Sequence, residues 1–419
     1  MSRLDLKASF AGSWSTSMLK FTTFAKLASE KMVEIGAGRP RTVNLNGRDL
    51  PILRVADVLD GRIESAFRDH RSHNNLNGEE SKISRPGDIV LTTKGTVGRV
   101  ALMPADGPIF AYSPQLCYFR PAASGPLRSR FLYYWFRSAE FWTQAEALKG
   151  QTDMADFLSL GDIHLMRISI PPLEQQDAVS SVLGALDDKI VANSRVIKLA
   201  ADLADAHFAW STASRPARTL TFEEVADIGG GGTPSTSVAE HWDGNVAWAT
   251  PTDVTRLRAP YLCETSRKIS PSGLASCSSR LYPVGSILMT SRATVGAFAI
   301  AQVPLAVNQG FIVVNALEAT NQWWLFHEMR ARVDEFMRHA NGATFLELPR
   351  GKFKKLPVRM PASEDARIFA SKVGPLHKLA AQLVTETAKL TLTRDELLPL
   401  LMSGRIRVRD AEKIVEEVV

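Results

Sequence analysis

Apolar positions recur at alternating spacings of four and three residues along one long stretch of the chain. Between Glu174 and about Trp210 there is no proline and only one glycine. This spacing places the apolar side chains on one stripe of a helix, as in a coiled coil. The two prolines at 171 and 172 and the acidic Glu174 are typical of a helix start. The stripe consists of Val179, Leu183, Leu186, Ile190, Asn193, Ile197, Ala200 and Ala204.

A second stretch, from Ser363 to Met402, repeats the spacing close to half the chain later. Gly374 and Pro375 interrupt it near its start and predict a kink there. At 1.5 Å per residue each helix would be roughly 55 Å long. Two stripes of this length most simply bury one another, although each could also be an ordinary core helix. The second stripe consists of Phe369, Val373, Leu376, Ala380, Leu383, Thr387 and Leu390.

The regions that precede the two helices contain short β-type runs separated by Gly, Pro and Asn. These runs are IVLTTKG (89–95) and RVALM (99–103) in the first region, and SILMTSR (286–292) and GAFAIAQV (296–303) in the second. Each region is therefore predicted to be an α/β domain with a curved sheet.

The two regions also repeat each other in sequence. LTTKGTVGRVA (91–101) returns as MTSRATVGAFA (289–299). Further matches follow in the same order: LRVADV with ATPTDV, SPQ (113–115) with VNQ (307–309), and FLYYWF with WWLF. So many ordered matches indicate a duplication. The predicted fold is mixed α+β, with α/β domains at 1–173 and 212–362, a first long helix at 174–211, and a second helix with its tail at 363–410.

Composition narrows the function only slightly. The chain has 419 residues, 45% of them hydrophobic and 22% charged, as in ordinary globular proteins. A net charge of +6 permits an acidic partner such as nucleic acid without requiring one. Cys117, Cys263 and Cys277 fit neither a disulfide framework nor a zinc motif. With no signal peptide or membrane span, we expect a cytoplasmic protein.

Motifs for catalysis are missing from the sequence. There is no P-loop, no paired-histidine metal spacing and no nucleophile elbow. His70 and His73 lie in a polar loop and are expected to face solvent. Asp88 follows Pro86-Gly87, but its repeat partner is Ser286, so we interpret it as a turn residue rather than a nuclease acid. We expect a chain that performs no chemistry alone and holds no cofactor or metal.

Polar and basic residues around the repeated motif suit DNA binding. Lys94 and Arg292 hold the same repeat position and could neutralise phosphates or reach guanine edges. Alternatively, the Thr-Val-Gly triplet is a scaffold turn and the basic residue a solvated rim. The loop GGGGTPS (229–235) could wrap a phosphate or be a simple turn, and the basic run RGKFKK (350–355) could follow a DNA backbone or be a solvated face. Trp242 and Trp248 are expected to be core anchors rather than base-stacking platforms. The candidate DNA-binding residues are Thr93, Lys94, Arg99, Gln115, Thr233, Ser291, Arg292, Gln309, Lys352 and Lys354.

Several separated motifs resemble those of one family. GGTPSTS (231–237), HWDG (241–244) and WATPTD (248–253) are similar to the second target-recognition domain of type I restriction-modification specificity (S) subunits. PPLEQQ and LDDKI around the first helix, and RDELL and GRIRV near the C-terminus, are equally typical. The first copy has GAGRP (36–40) where the second has the fuller Gly-Gly-Thr-Pro form.

This resemblance implies a function and a set of partners. An S subunit binds double-stranded DNA in a complex with two methylation (M) subunits and, for cleavage, restriction (R) subunits. Each recognition domain would read half of a bipartite, asymmetric target. S-adenosylmethionine would belong to M, and ATP with Mg²⁺ to R.

The resemblance also assigns a task to the helices. They would pair antiparallel about a pseudo-twofold axis, set the spacer and dock M. The residues expected to do so are Val179, Leu183, Leu186, Ile190, Ile197, Val373, Leu376, Leu383 and Leu390. The alternatives are an orphan DNA-binding protein, or a scaffold that holds two partners apart without DNA.

Overall fold

The computed structural model divides the chain into two compact units. Unit 1 comprises Met1–Asp188 with Leu390–Val419, and unit 2 comprises Lys189–Lys389. His70, His73 and the end of the GAGRP motif lie outside the described residues. The structure describes residues 20–38, 44–45, 48–49, 51–59, 61–63, 82–106, 108–148, 150–151, 156–214, 216–341 and 346–418.

Unit 1 is built from short strands and helices, and it shares its longest helix, α5, with unit 2. Its strands are β1 (Lys20–Thr23), β2 (Val33–Ala37), β3 (Asn44–Leu45), β4 (Arg48–Asp49), β5 (Ile52–Leu53), β6 (Val58–Leu59), β7 (Arg62–Ile63), β8 (Ile89–Thr92), β9 (Val100–Leu102), β10 (Ala111–Tyr112), β11 (Leu116–Pro121), β12 (Gly150–Gln151), β13 (Asp156–Phe157) and β14 (Arg167–Ile170). Its helices are α1 (Phe24–Ser29), α2 (Ser129–Trp135), α3 (Ala139–Leu148), α4 (Leu160–Leu165) and α5 (Leu173–Ser214).

Unit 2 has the same kinds of elements, and the second long helix, α12, runs on from it into unit 1. Its strands are β15 (Ala217–Thr221), β16 (Ala226–Gly229), β17 (Trp242–Ala249), β18 (Tyr261–Leu262), β19 (Arg267–Ile269), β20 (Ile287–Thr290), β21 (Phe298–Ala301), β22 (Leu305–Val307), β23 (Phe311–Ala316) and β24 (Pro357–Pro361). The helices are α6 (Phe222–Val225), α7 (Pro251–Thr255), α8 (Pro271–Ala275), α9 (Gln322–Ala331), α10 (Val333–His339), α11 (Arg350–Lys354), α12 (Ser363–Met402) and, closing unit 1, α13 (Val408–Glu416).

The main sheets of the two units have the same topology. The strand order is β2-β11-β8-β9 in unit 1 and β16-β23-β20-β21-β18 in unit 2. In both units the first four strands pair antiparallel. A parallel pair accompanies each sheet, β5 with β10 and β17 with β22. The predicted duplication and mixed α+β fold are therefore confirmed.

One inner strand of each sheet, β8 in unit 1 and β20 in unit 2, is buried along its whole length. Every residue of β8 and of β20 is buried. A run that is apolar without alternation predicts a strand covered on both faces, because alternation would expose every second side chain. Aromatic side chains of α2 in unit 1 and of α9 in unit 2 complete the two cores.

Helices α5 and α12 run antiparallel in unit 2. In unit 2, Asn193 lies 3.4 Å from Thr387, while the rings of Phe208 and Phe369 have centroids 6.0 Å apart. Residue numbers therefore rise along one helix as they fall along the other. Helix α12 continues through Gly374 and Pro375 without a break in its helical residues.

The predicted stripes coincide with the covered faces of these helices. Val179, Leu183, Leu186, Val373 and Leu390 are buried, and Ile190, Ile197, Leu376 and Leu383 are half-buried. Outside the stripe, Val182 and Phe208 of α5 are buried, whereas Val191, Val196, Leu199 and Leu203 are exposed. The two units divide both long helices between them, so the segment boundaries drawn from the sequence remain a prediction. Within the described residues, the helices are too short or too polar for a membrane span.

Candidate nucleic-acid interface

The repeated Thr-Val-Gly triplet forms the same turn in both units. It joins β8 to β9 and β20 to β21. The hydroxyl of Thr92 accepts a hydrogen bond from the Arg99 amide at 2.9 Å, and Thr290 accepts one from the Ala297 amide at 2.9 Å. The hydroxyl that closes each turn therefore belongs to the last residue of the strand.

Close packing explains the glycine of each triplet. Gly98 and Gly296 have φ of 93° and 89°, a region that favours glycine. A Cβ at Gly98 would lie 2.1 Å from the Trp142 ring, and one at Gly296 would lie 2.6 Å from Val333. The triplet is thus a scaffold turn that packs on a helix.

Two of the predicted DNA-binding residues are not on the surface. Thr93 and Ser291 have exposed fractions of 6% and 4%. The Thr93 hydroxyl donates to the carbonyl of Gln115 at 3.0 Å. The prediction that these hydroxyls face DNA needs exposed side chains, and the structure instead buries both because the chain segments beside them pair with the strand ends.

Lys94 and Arg292 occupy equivalent places, as their repeat position predicts. In each unit the residue before them accepts a backbone hydrogen bond of 2.9 Å, from Leu158 in unit 1 and from Leu348 in unit 2. Lys94 is exposed, and the described part of the chain offers it no ion-pair partner. The Arg292 guanidinium instead donates to Glu347 at 2.8 and 3.1 Å.

Gln115 and Gln309 are exposed but are not equivalent in the two folds. Leu116 pairs with Thr92 in unit 1, and Phe311 pairs with Thr290 in unit 2. The structural counterpart of Gln115 is therefore Gly310, whose carbonyl accepts the corresponding bond from Ser291. The sequence match of Gln115 with Gln309 is therefore one residue out of register.

The glycine-rich loop of unit 2 lies beside Gln309. Thr233 donates to the side-chain oxygen of Gln309 at 2.7 Å, and both residues are exposed. The indole of Trp248 donates to the carbonyl of Gly232 at 3.1 Å, and that of Trp242 to Ser235 at 3.0 Å. The tryptophans therefore anchor the loop, and the structure brings two of the predicted residues together.

The short basic helix α11 adjoins the same loop. A Cβ at Gly230 would lie 2.6 Å from a terminal nitrogen of Arg350, so the guanidinium packs against the glycine. Lys352 is exposed, Lys354 is half-buried, and Phe353 between them is buried in the core. Arg350 of α11 therefore contacts the loop that also contains Thr233, the donor to Gln309.

The counterpart of α11 in unit 1 is α4, which carries a different set of side chains. Helix α4 follows the segment whose Leu158 bonds beside Lys94, and α11 follows the segment whose Leu348 bonds beside Arg292. In sequence, α4 reads LGDIHL where α11 and the next residue read RGKFKK. Arg99 does not join a basic surface there. It lines a groove of about 500 Å³ with Arg137, Trp142 and Asp395.

Three buried polar residues in unit 2 and the exposed Asp205 form a hydrogen-bonded series that the sequence did not predict. His327 lies 2.9 Å from the Asp205 carboxylate and 3.0 Å from His377, which lies 2.8 Å from the Tyr261 hydroxyl. Burial lowers the pKa of both histidines, that of His377 to about 3. No sequence signal relates these residues, because they come from four distant segments. Among the residues that the structure describes, no group of three His, Cys, Asp or Glu could hold a metal.

Comparison with known proteins identifies the family. The model of the type I restriction modification DNA specificity domain matches residues 39–199 and 217–389. The MjaIX specificity subunit of Methanocaldococcus jannaschii is 32% identical over 151 residues, 36% of this chain and 35% of that protein. The HindI specificity subunit of Haemophilus influenzae is 25% identical over 195 residues, 45% of this chain and 42% of that protein. These matches span less than half the length of either relative.

A solved structure shares the fold. The S subunit of a type I restriction-modification system from M. genitalium superposes with a TM-score of 0.61 at 14% identity, covering 95% of this chain and 98% of that one. The two matched regions coincide with the two copies found in the sequence and together account for most of its length. The chain therefore belongs to the type I restriction-modification DNA specificity family.

Proposed function

We propose that this chain is the DNA sequence-specificity subunit of a type I restriction-modification complex. Each unit would read one half of a bipartite, asymmetric target. The observation that carries this proposal is that the two units share one fold but differ in their exposed polar residues. Lys94 and Arg292 stand at equivalent positions, yet of the two only Arg292 forms an ion pair with a carboxylate among the residues that the structure describes. A shared scaffold with different surfaces suits two half-sites of different sequence.

The long helices are proposed to connect recognition to the partner subunits. At 1.5 Å per residue, α5 and α12 would each be about 60 Å long. Their exposed apolar residues, such as Leu199 and Leu203, are available to a methylation subunit. S-adenosylmethionine would then be bound by the methylation subunits, and ATP with Mg²⁺ by the restriction subunits. This chain would contribute recognition and no catalytic group.

Mapping of methylated bases tests this function. Genomic DNA from the host with this gene intact should carry methylation at one bipartite motif, and deletion of the gene should remove that methylation alone. A motif that persists without the gene would contradict the proposal. Purified complex should also protect the motif in a footprint. Protection by the chain alone would indicate an orphan DNA-binding protein, and absence of any protection would indicate a scaffold.

A further inference from the structure

Arg267, on β19 of unit 2, is stacked on a tryptophan. Its guanidinium carbon lies 3.6 Å from the ring centroid of Trp242 and 5.8 Å from that of Trp248. The side chain is exposed, and within the part of the chain that the structure describes it has no ion-pair partner. Stacking fixes the plane of a guanidinium but leaves the N–H donors at its edge free.

The tryptophans under Arg267 are held by contacts with each other and with the glycine-rich loop. The two indoles meet edge to face, with ring centroids 5.2 Å apart. Both donate to carbonyls of the glycine-rich loop, and Trp248 is paired with Arg267 across the two strands. Arg267 therefore contacts the glycine-rich loop through Trp242, and Thr233 of the same loop donates to Gln309.

Arg292, in contrast, is paired with a carboxylate. Its Nε and one terminal nitrogen both donate to the same oxygen of Glu347. The carboxylate offsets the charge and accepts from two of the five N–H donors of that guanidinium. Of these two arginines, only Arg267 has an oriented plane without a carboxylate beside it among the described residues.

We propose that unit 2 reads a guanine of its DNA half-site through Arg267, held on Trp242, and not through Arg292. A planar fork with fixed orientation matches the O6 and N7 acceptors of guanine in the major groove. A contact with phosphate alone would not need a fixed plane. This inference rests on the proposed function, since it requires that unit 2 binds a half-site.

Selection from a library of duplexes with a randomised central segment tests the inference. The full-length chain is used in complex with its methylation subunit, and bound duplexes are sequenced. Arg267→Ala should lose about tenfold to a hundredfold selectivity at one guanine. Selectivity at the other positions of the motif should be retained. Arg267→Lys, which keeps the charge but not the fork, should lose the same selectivity.

Two matched variants serve as controls. Lys268→Ala removes one exposed positive charge from the neighbouring position of β19 and should retain the complete motif. Arg292→Ala should retain the guanine. Retention of the other positions of the same half-site by Arg267→Ala shows that unit 2 is folded.

Three outcomes would overturn the inference. One is an unchanged motif with Arg267→Ala, and another is full rescue by Arg267→Lys. The third is a uniform loss of affinity with a weaker salt dependence, which indicates a phosphate contact. A wild-type complex that selects no motif would overturn the proposed function as well, whereas the first three outcomes leave that function intact.

Discussion

The contact between the α/β domain and the long helices is made by different side chains in the two units. In unit 1 the Tyr134 hydroxyl of α2 donates to Asp187 of α5 at 2.8 Å, and Arg394 of α12 donates to the same carboxylate at 2.8 Å. In unit 2, His327 of α9 lies 3.0 Å from His377 of α12 and 2.9 Å from Asp205 of α5, which also accepts from Arg330 at 2.9 Å. The contact is therefore an ion-paired cluster in unit 1 and a neutral histidine pair beside an ion pair in unit 2.

This difference shows that the repeat preserves a contact without preserving its residues. Both clusters link a helix of the α/β domain to the two long helices. Asp187 and Arg394 are largely buried and lie 2.8 Å apart. His327 and His377 remain neutral, because burial lowers the pKa of each below its usual range. The two units should consequently respond differently to mutation and to pH.

The largest expected effect is from breaking the ion pair of unit 1. Arg394→Ala leaves the Asp187 carboxylate buried with the Tyr134 hydroxyl and with Arg137 at 4.0 Å. Removing one partner of a buried pair costs about 3 kcal/mol, because a desolvated charge remains. Urea denaturation of the full chain measures this loss. Arg405→Ala, an exposed charge of the same type, is the control and should cost below about 0.5 kcal/mol. Equal losses from the two variants would contradict the comparison.

A smaller effect is expected in unit 2 when the pH falls. His377 has a folded-state pKa of about 3, below the unfolded value, so the unfolded chain binds more protons as the pH drops through 6.5. Stability from this group is complete above the unfolded pKa and is lost between that value and the folded pKa. At pH 5 the loss should be about 2 kcal/mol relative to pH 7.5.

Unfolding of the wild type and of His377→Gln at pH 7.5, 6 and 5 checks this prediction. The glutamine can still hydrogen-bond but does not titrate, so the variant should show a smaller fall between pH 7.5 and pH 5. Arg330 and Asp205, which lie beside the histidines, are unchanged in this comparison. Parallel curves for the two proteins would show that His377 is not the titrating group.

Basic residues give the third contrast, since α11 is basic and α4 is not. The double variant Lys352→Ala with Lys354→Ala should reduce the magnitude of the negative slope of log affinity against log salt by about 2, because each lysine is expected to neutralise one phosphate. Leu165→Lys, which gives unit 1 the charge that Lys355 has in unit 2, should raise the slope by about 1. Titration of the complex with target DNA at several salt concentrations measures both. A slope that neither variant changes would place α11 away from the backbone.

The smallest effect concerns Lys94 and Arg292. Lys94→Ala should lower the salt slope by about 1. Arg292→Ala should lower it less, because Glu347 already offsets the charge. In a Glu347→Gln background the charge of Arg292 is no longer offset, so Arg292→Ala should change the salt slope by an amount closer to that of Lys94→Ala. Glu347→Gln alone should change the free energy of unfolding by less than about 1 kcal/mol, since the pair is exposed. An Arg292→Ala effect as large as that of Lys94→Ala would show that the ion pair opens on DNA.

Long-range pairing limited what could be predicted about individual side chains. Asp88 was interpreted as a turn residue, and its carboxylate does accept from the Arg85 amide at 2.9 Å. It is also completely buried, and it accepts from Arg120 at 2.7 and 2.8 Å and from the Tyr112 hydroxyl at 2.7 Å. Its partners lie far along the chain, and no spacing rule connects them.

Local periodicity let the sequence by itself determine the two striped helices, and ordered motif matches indicated the duplication and the family. The spacing of Leu183 and Leu186 or of Val373 and Leu376 depends only on helix geometry, and helix geometry is the same in every chain. Only the tertiary structure decided that Ser291 is buried. It also decided which cations have a carboxylate beside them and which histidines meet, because those properties depend on segments brought together by folding.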